Sequence, residues 1–348
     1  MPQVSEPHPE HLAHPAHPAH LFYTREMRAI RVEQFGEPDV MRVVDVEDPQ
    51  PREGEVVVHI RAAGVNPVDA YVRSGTYARL PELPYTPGSD GAGIVKDVGA
   101  GVTGLAVGDR VYVAALGVRL GTYAEKMAVA ARLVHPIPAA VSFAQGAALG
   151  VPAATAYRAL VLRASVRAGE TVFVHGASGA VGLAAVQLAR GLGLRVIGTA
   201  GSEPGRAAVR SAGAAVVLDH AKDGYAAEVM EATGGHGVDV VLEMLANVNL
   251  DRDLGLLAPG GRVIVIGSRG RIEIDPRQTM GKESAVMGTT LWATTPEEYR
   301  QIHAALGAAL VTGVLRPVIG RELPLERAAE AHRAILADRA LGKMVLTF

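Results

Sequence analysis

The chain of 348 residues contains no cysteine. Without thiols it builds no disulfide, offers no thiolate nucleophile and assembles no zinc site that depends on sulfur, so its fold needs no oxidising compartment. A cytoplasmic location is the expectation. Aromatic residues are scarce at 4%, and 34 basic against 36 acidic side chains leave a formal charge of -2. The chain therefore advertises neither stacking platforms nor a field for polyanions, which argues against a nucleic-acid partner. Long apolar runs are missing too. The one uncharged stretch that approaches membrane-span length, 171–189, carries His175, Ser178 and three glycines, so no membrane partner is expected. The N-terminus lacks the basic start and apolar middle of a secretory signal, and no export is expected.

What is there reads as a globular protein, 49% hydrophobic and long enough for two domains with a cleft between them. Residues 1–26 differ from the rest: "HPEHLAHPAHPAH" places histidine at 8, 11, 14, 17 and 20 with prolines between. Such a segment builds no core and is read as a disordered tail; in a polyproline II helix its histidines would share one edge and hold a divalent ion weakly. Met27 starts the first periodic segment and is an alternative start of the protein. From 27 to 144, short β-like runs broken by Gly, Pro and Asp predict a curled, mostly antiparallel domain. From 145 to 288 the pattern alternates strand and helix, with strands expected at 171–174, 195–199, 216–219, 238–243 and 262–266. This is the signature of a doubly wound parallel sheet. Residues 289–348 are expected to return to the first domain through a helix at 296–311 and the closing strand "GKMVLTF".

The stretch "TVFVHGASGAVGLAAVQLAR", 171–190, runs from an apolar strand through Gly176, Gly179 and Gly182 into an amphipathic helix. Glycines there let backbone approach a ligand closely, and the free N–H groups of a helix start attract a pyrophosphate. The spacing is G-x-x-G-x-x-G, looser than the dinucleotide fingerprint and also found at ordinary strand-to-helix turns; its place after the first parallel strand is what favours a cofactor. An NAD enzyme would put a carboxylate at the end of the second strand. Here Ala200, Gly201 and Ser202 follow "RVIGT", and Ser202, Arg206 or His220 can donate to a 2'-phosphate, so NADPH is the expected cofactor. Glu203 is the discordant neighbour. Asn249, Gly267 and Arg269 fall where other strands of the sheet should end and suit the far half of a dinucleotide, although a helix start and a turn would explain them equally.

The stretches "GVNPVDAYVRSGTY", "LPYTPGSDGAGIV", "HGASGAVGL", "EMLANVNL", "GGRVIVIGSRG" and "GKMVLTF" together resemble the zinc-independent quinone oxidoreductases of the medium-chain dehydrogenase/reductase superfamily, most closely the zeta-crystallin type. The resemblance covers residues 27–348. It implies an α/β protein with a Rossmann doubly wound parallel sheet inserted in a GroES-like β-rich catalytic domain, NADPH in the cleft, and a homodimer or homotetramer. It also implies cofactor contacts at Tyr71, at Ser178, Gly179, Ala180 and Val181, at Gly201 and His220, at Asn249, at Ile266, Gly267, Ser268 and Arg269, and at Thr289, Thr290 and Leu291. Ala180 departs from the close relatives, which often have another glycine.

Zinc-bearing cousins place a cysteine and a histidine where this chain has Asn66 and Ser89, so metal-independent chemistry on an acceptor that is already electrophilic is expected. A small quinone is the implied substrate, with one-electron steps allowed by the resemblance. An enone or alkenal double-bond reductase is the enzyme alternative, and an RNA-binding role of the zeta-crystallin kind is the non-enzyme one. By resemblance Asn66, Asp69, Tyr71 and Tyr77 line the nicotinamide end of the cleft. They offer hydroxyl and amide donors, and read from the sequence alone they could equally cap a turn and pack.

Overall fold

A computed structural model describes residues 26–116, 121–337 and 341–348; the expectations for the histidine-proline segment lie outside the described residues, except at Glu26. The strand Glu26–Val32 pairs antiparallel with Met41–Glu47. The hub of the β-rich part is Glu55–Val65, whose antiparallel neighbours are Asp90–Val98, Lys126–Ala130 and, at its end, the closing strand Lys343–Thr347. Met344 faces Val65 and Thr347 faces Ala62 in that last ladder. The closing strand is thus woven into the sheet that Glu55–Val65 starts, while Glu26–Val32 and Met41–Glu47 form a sheet of their own. Ile319–Pro324 adds a parallel edge to the closing strand.

Between these two contributions lies a six-stranded parallel sheet. Its spatial order is Val216–Leu218, Arg195–Thr199, Thr171–Val174, Val238–Glu243, Leu257–Val265, Ala285–Gly288, which in chain order is 3-2-1-4-5-6. That is the doubly wound dinucleotide order, with the direction of winding reversing between Thr171–Val174 and Val238–Glu243. Phe173, Ile197, Val241 and Val263 are fully buried on one face of it, each contributing about 1.5–3 kcal/mol by leaving water. The strands expected at 171–174, 195–199 and 238–243 match, while 216–219 ends one residue early and 262–266 begins at Leu257.

A small-residue segment joins the two bodies. The capping box of Ser142 and Gln145 starts the helix Phe143–Gly146, which with the following turn, Leu149–Ala153, lies close on the strand Asp90–Val98. A Cβ at Gly150 would stand 2.4 Å from Asp90 Oδ1, and one at Gly146 would stand 2.7 Å from Ala92 Cβ, so only glycine permits this approach. No described helix is long and apolar enough to cross a membrane.

Candidate active site

The strand Thr171–Val174 enters the turn at Gly176, whose φ is 54°, and the helix Ala180–Gly191 begins from Gly179 as its cap. Gly182 sits where a Cβ would meet the Ala177 backbone at 2.6–2.7 Å, so the third glycine lets the helix lie on its own turn. At Gly176 the nearest atom to a Cβ would be Met244 Cγ at 3.9 Å, which leaves the turn open above the sheet. Ser178 is buried, and its carbonyl accepts from Gly342 N at 2.8 Å. This bond ties the turn to the residue before the closing strand. Along the same edge, Gly201 lies under His220, with a Cβ there falling 2.9 Å from Nε2. Ser202 caps the next helix by accepting from Gly205 N at 3.2 Å. Arg206 is held by two carboxylates, donating to Asp219 Oδ2 at 2.7 Å and pairing with Glu203 Oε2 at 2.9 Å. Glu203 is exposed but engaged, by Arg206 and also by Arg210 at 3.1 Å. On the far side Asn249 donates to Glu243 Oε1 at 3.2 Å, and Thr289 Oγ1 accepts from Arg158 at 3.1 Å. The backbone of Arg269 bonds Asn247 while its side chain is exposed, as is Ser268. Gly267 packs against Met244, where a Cβ would lie 2.4 Å from its carbonyl oxygen. Thr290 caps the short turn Leu291–Ala293.

Across the cleft, Asn66 caps the helix Pro67–Ser74, and Asp69 Oδ2 accepts from Asn66 N at 2.8 Å. The Asn66 side chain points instead into a buried cluster. Its amide donates to Asp90 Oδ2 at 2.9 Å and its oxygen accepts from Lys343 Nζ, which also pairs with Asp90 Oδ2 at 2.9 Å. The other Asp90 oxygen accepts from Val151 N at 2.7 Å. These groups are almost wholly buried, with Lys343 1% exposed and Asp90 0%. Burial and the neighbouring Asp90 carboxylate push the Asp69 carboxyl up to about 7, against the pull of Lys343. Two clefts open beside the cluster. One is lined by Asp69, Tyr85, Thr86, Ser89 and Arg79 among others; the second by Asp90, Gly150, Val151, Tyr299 and His303. Leu116 and Trp292 line both. Tyr77 accepts from Trp292 Nε1 at 2.9 Å and so steadies this partition. Tyr71 is half-buried on the Pro67–Ser74 helix and lines neither cleft.

Residues 52–139 match the alcohol dehydrogenase GroES-like domain and residues 180–308 the zinc-binding dehydrogenase family. The chain is 50% identical to the quinone oxidoreductase of Homo sapiens over 322 residues, which is 92% of this chain and 97% of that protein. The chain belongs to the quinone oxidoreductase family. It is an oxidoreductase of the medium-chain dehydrogenase/reductase superfamily, zeta-crystallin-like, with the Rossmann and GroES-like architecture that the sequence led us to expect. More distant members agree: a quinone oxidoreductase of Pseudomonas aeruginosa is 34% identical over 92% of this chain and 99% of its own. The Escherichia coli quinone oxidoreductase solved with NADPH superposes at a TM-score of 0.83, with 30% identity over 92% of this chain and all of that one. A mycobacterial protein solved with NADPH gives a TM-score of 0.83 at 35% identity, over 92% and 100% of the two chains. The zinc in one family description does not suit this oxidoreductase. Where cousins place ligands, the Asn66 side chain is bonded to Asp90 and Lys343 and Ser89 offers only a hydroxyl 3.4 Å from Asp69 Oδ1, so neither position supplies the thiolate or free imidazole that such a zinc site uses.

Sequence reasoning missed three groups in this oxidoreductase. Lys343 and Asp90 carried no motif of their own. His175, directly before Gly176, is buried with Asp253 Oδ1 at 2.7 Å and Glu243 Oε2 at 3.3 Å. Burial holds both carboxyls well above the usual carboxylate range and lowers the His175 pKa. Glu243 in turn accepts from Leu245 N and Asn249, so the triad fixes the loop that follows Val238–Glu243 at the ligand edge. Beside the second cleft, Tyr112, His135, Tyr299 and His303 form a buried ring cluster, with Tyr112 Oη 2.7 Å from His303 Nδ1 and the two imidazoles stacked at 4.1 Å. Only the position of His175 next to the glycine turn could have signalled any of this.

Proposed function

We propose that the protein is an NADPH-dependent, metal-independent quinone reductase, with the dinucleotide along the ligand edge of the parallel sheet and a small quinone in the cleft between the two bodies. The open space above Gly176 suits a pyrophosphate. Ser178 to Val181 would hold it through their backbone, Gly201, Ser202, Arg206 and His220 would take the adenosine phosphate, and Asn249, Ile266 to Arg269, Thr289 to Leu291 and Tyr71 the nicotinamide half. NADPH in two similar solved structures supports the choice of cofactor. When bound, the reduced nicotinamide supplies hydride. The chain's own work is to orient the acceptor, keep water out, and meet charge that develops on the acceptor's oxygen.

The observation that carries the reading is the closed Asn66–Asp90–Lys343 cluster. With those donors committed to one another, no Lewis acid can be recruited there to polarise an unactivated carbonyl, so the acceptor must be electrophilic by itself. Quinones are. The edge strand Ala285–Gly288 is largely exposed, Val286 at 41%, and its unpaired ladder supports a homo-oligomer formed edge to edge. The test is NADPH and NADH oxidation against ortho- and para-quinones, enones and simple aldehydes, with spin-resonance detection of radical products to read one-electron delivery. Quinones with NADPH should turn over fastest and aldehydes hardly at all. Enones faster than every quinone would make the protein a double-bond reductase, and salt-sensitive RNA binding displaced by NADPH would add the non-enzyme role.

A further inference from the structure

We propose that Ser89 is the catalytic proton donor to the acceptor's oxygen and that the Asp69 carboxyl behind it is the proton reservoir, a reading that rests on quinone reduction in the first cleft. Four polar groups meet at one end of that cleft: Asp69, Ser89, Tyr85 and Thr86. Ser89 Oγ lies 3.4 Å from Asp69 Oδ1, a long contact of the kind that tightens when substrate binds. Asn66 N holds the other Asp69 oxygen, which turns Oδ1 toward Ser89. The Tyr85 and Thr86 hydroxyls, buried in residues 3% and 1% exposed, have no hydrogen-bond partner among the described residues and keep a proton to donate to an acceptor oxygen that reaches them. An unpaired buried hydroxyl is costly, and two lining one cleft point to a polar ligand atom.

The groups facing Asp69 are Asp90 and Lys343 from the two neighbouring strands, and Tyr85 and Tyr123, the latter bonded to His332 at 3.1 Å. Burial and Asp90 outweigh Lys343, so Asp69 keeps a proton up to about pH 7. Burial raises Tyr85 and makes it the poorer acid. In the step, hydride from the reduced dinucleotide adds to the quinone and its electron pair moves to a carbonyl oxygen. That oxygen forms an O–H bond as the Ser89 O–H breaks, and the Asp69 O–H breaks onto Ser89 Oγ. One hydride and one proton convert quinone to hydroquinone, and Asp69, left as carboxylate, regains its proton from water.

Two variants test this, Ser89→Ala and Asp69→Asn, the second keeping an acceptor for Asn66 N. Wild-type kcat should be level below about pH 7 and fall tenfold per unit above it. Both variants should be slower by about 10²-fold at pH 6 and lose that descending limb. In ligand-free protein, Glu243 and Asp253 also contribute protonated carboxyl at pH 6, so the component of that infrared band which Asp69→Asn removes, present at pH 6 and absent at pH 9, should mark the reservoir. A wild type inactive with every quinone refutes the quinone reading. An active wild type whose limb survives in both variants refutes the relay alone, and a pH 6 band that Asp69→Asn leaves unchanged refutes the reservoir in either case.

Discussion

Lys343→Met removes the ammonium that pairs with Asp90 at 2.9 Å in a site where the two residues are 1% and 0% exposed. At that separation and an effective dielectric of about 20 the attraction is about 6 kcal/mol. Part of it is offset in the variant, because Asp90 keeps Asn66 Nδ2 at 2.9 Å and Val151 N at 2.7 Å, and the methionine refills most of the space. The net cost is then the ordinary one for orphaning a buried charge, about 3–5 kcal/mol. Urea unfolding followed through Trp292, the single tryptophan of the chain, measures it. Lys343→Met with Asp90→Asn leaves no unpaired charge and should recover most of the loss. A single-variant cost below about 1 kcal/mol, or a double variant no more stable than the single, would refute the claim that each member of this ion pair compensates the other's buried charge. A second readout follows from the same cation. Lys343 draws the Asp69 pKa down, so its removal should move the descending limb of the pH-rate profile to higher pH.

The remaining predictions concern cofactor choice and pH. Arg206→Gln should lower the preference for NADPH over NADH by about tenfold, or about 1.4 kcal/mol, because it uncovers Glu203 and Asp219 beside the expected 2'-phosphate; unchanged dissociation constants by fluorescence titration would count against the adenosine end of the site. Thermal stability should be highest and nearly level between about pH 4 and 6.5, where two sets of buried groups oppose each other. The raised Asp69, Glu243 and Asp253 carboxyls bind protons more tightly in the native state, so their contribution is full below about pH 4 and is lost as pH rises to about 7. His135, His303 and His332, lowered by burial to about 4, 2 and 3, stay neutral when folded, so their contribution is lost as pH falls below about 6.5. A melting temperature that climbs steadily to pH 9 would contradict this, as would an Asp253→Asn variant with an unaltered alkaline limb.

What the sequence made legible was local. The glycine turn at 176–182, the alternation after 145 and the capping box at Asn66 and Asp69 are all patterns within a few residues, where backbone geometry limits which side chains fit. The groups that were missed join distant segments. Lys343 meets Asp90 across 253 residues of chain, His175 meets Asp253 across 78, and Trp292 meets Tyr77 across 215. Nothing in a window of sequence distinguishes Lys343 from a lysine on a solvated strand. Arg206 shows the converse. Its distance from the glycines made it a candidate for a phosphate, but its partners Glu203 and Asp219 had to be seen together before its charge could be weighed.

The closing strand ties the glycine turn to the Asn66–Asp90 cluster. Gly342 N bonds Ser178 O in the glycine turn, and a Cβ on Gly342, whose φ is 60°, would stand 2.5 Å from Val318 O. The next residue, Lys343, carries its ammonium to Asn66 and Asp90 on the opposite wall. Two adjacent residues therefore fix the glycine turn, where we place the cofactor, and the wall where we place the acceptor, with respect to each other. A shift of the turn must pull on the ion pair, and a loosened ion pair must release the turn. On this geometry the ending "GKMVLTF" aligns donor and acceptor, which is the contribution a hydride-transfer site needs most, since misplacement by about 1 Å can cost 10²-fold in rate.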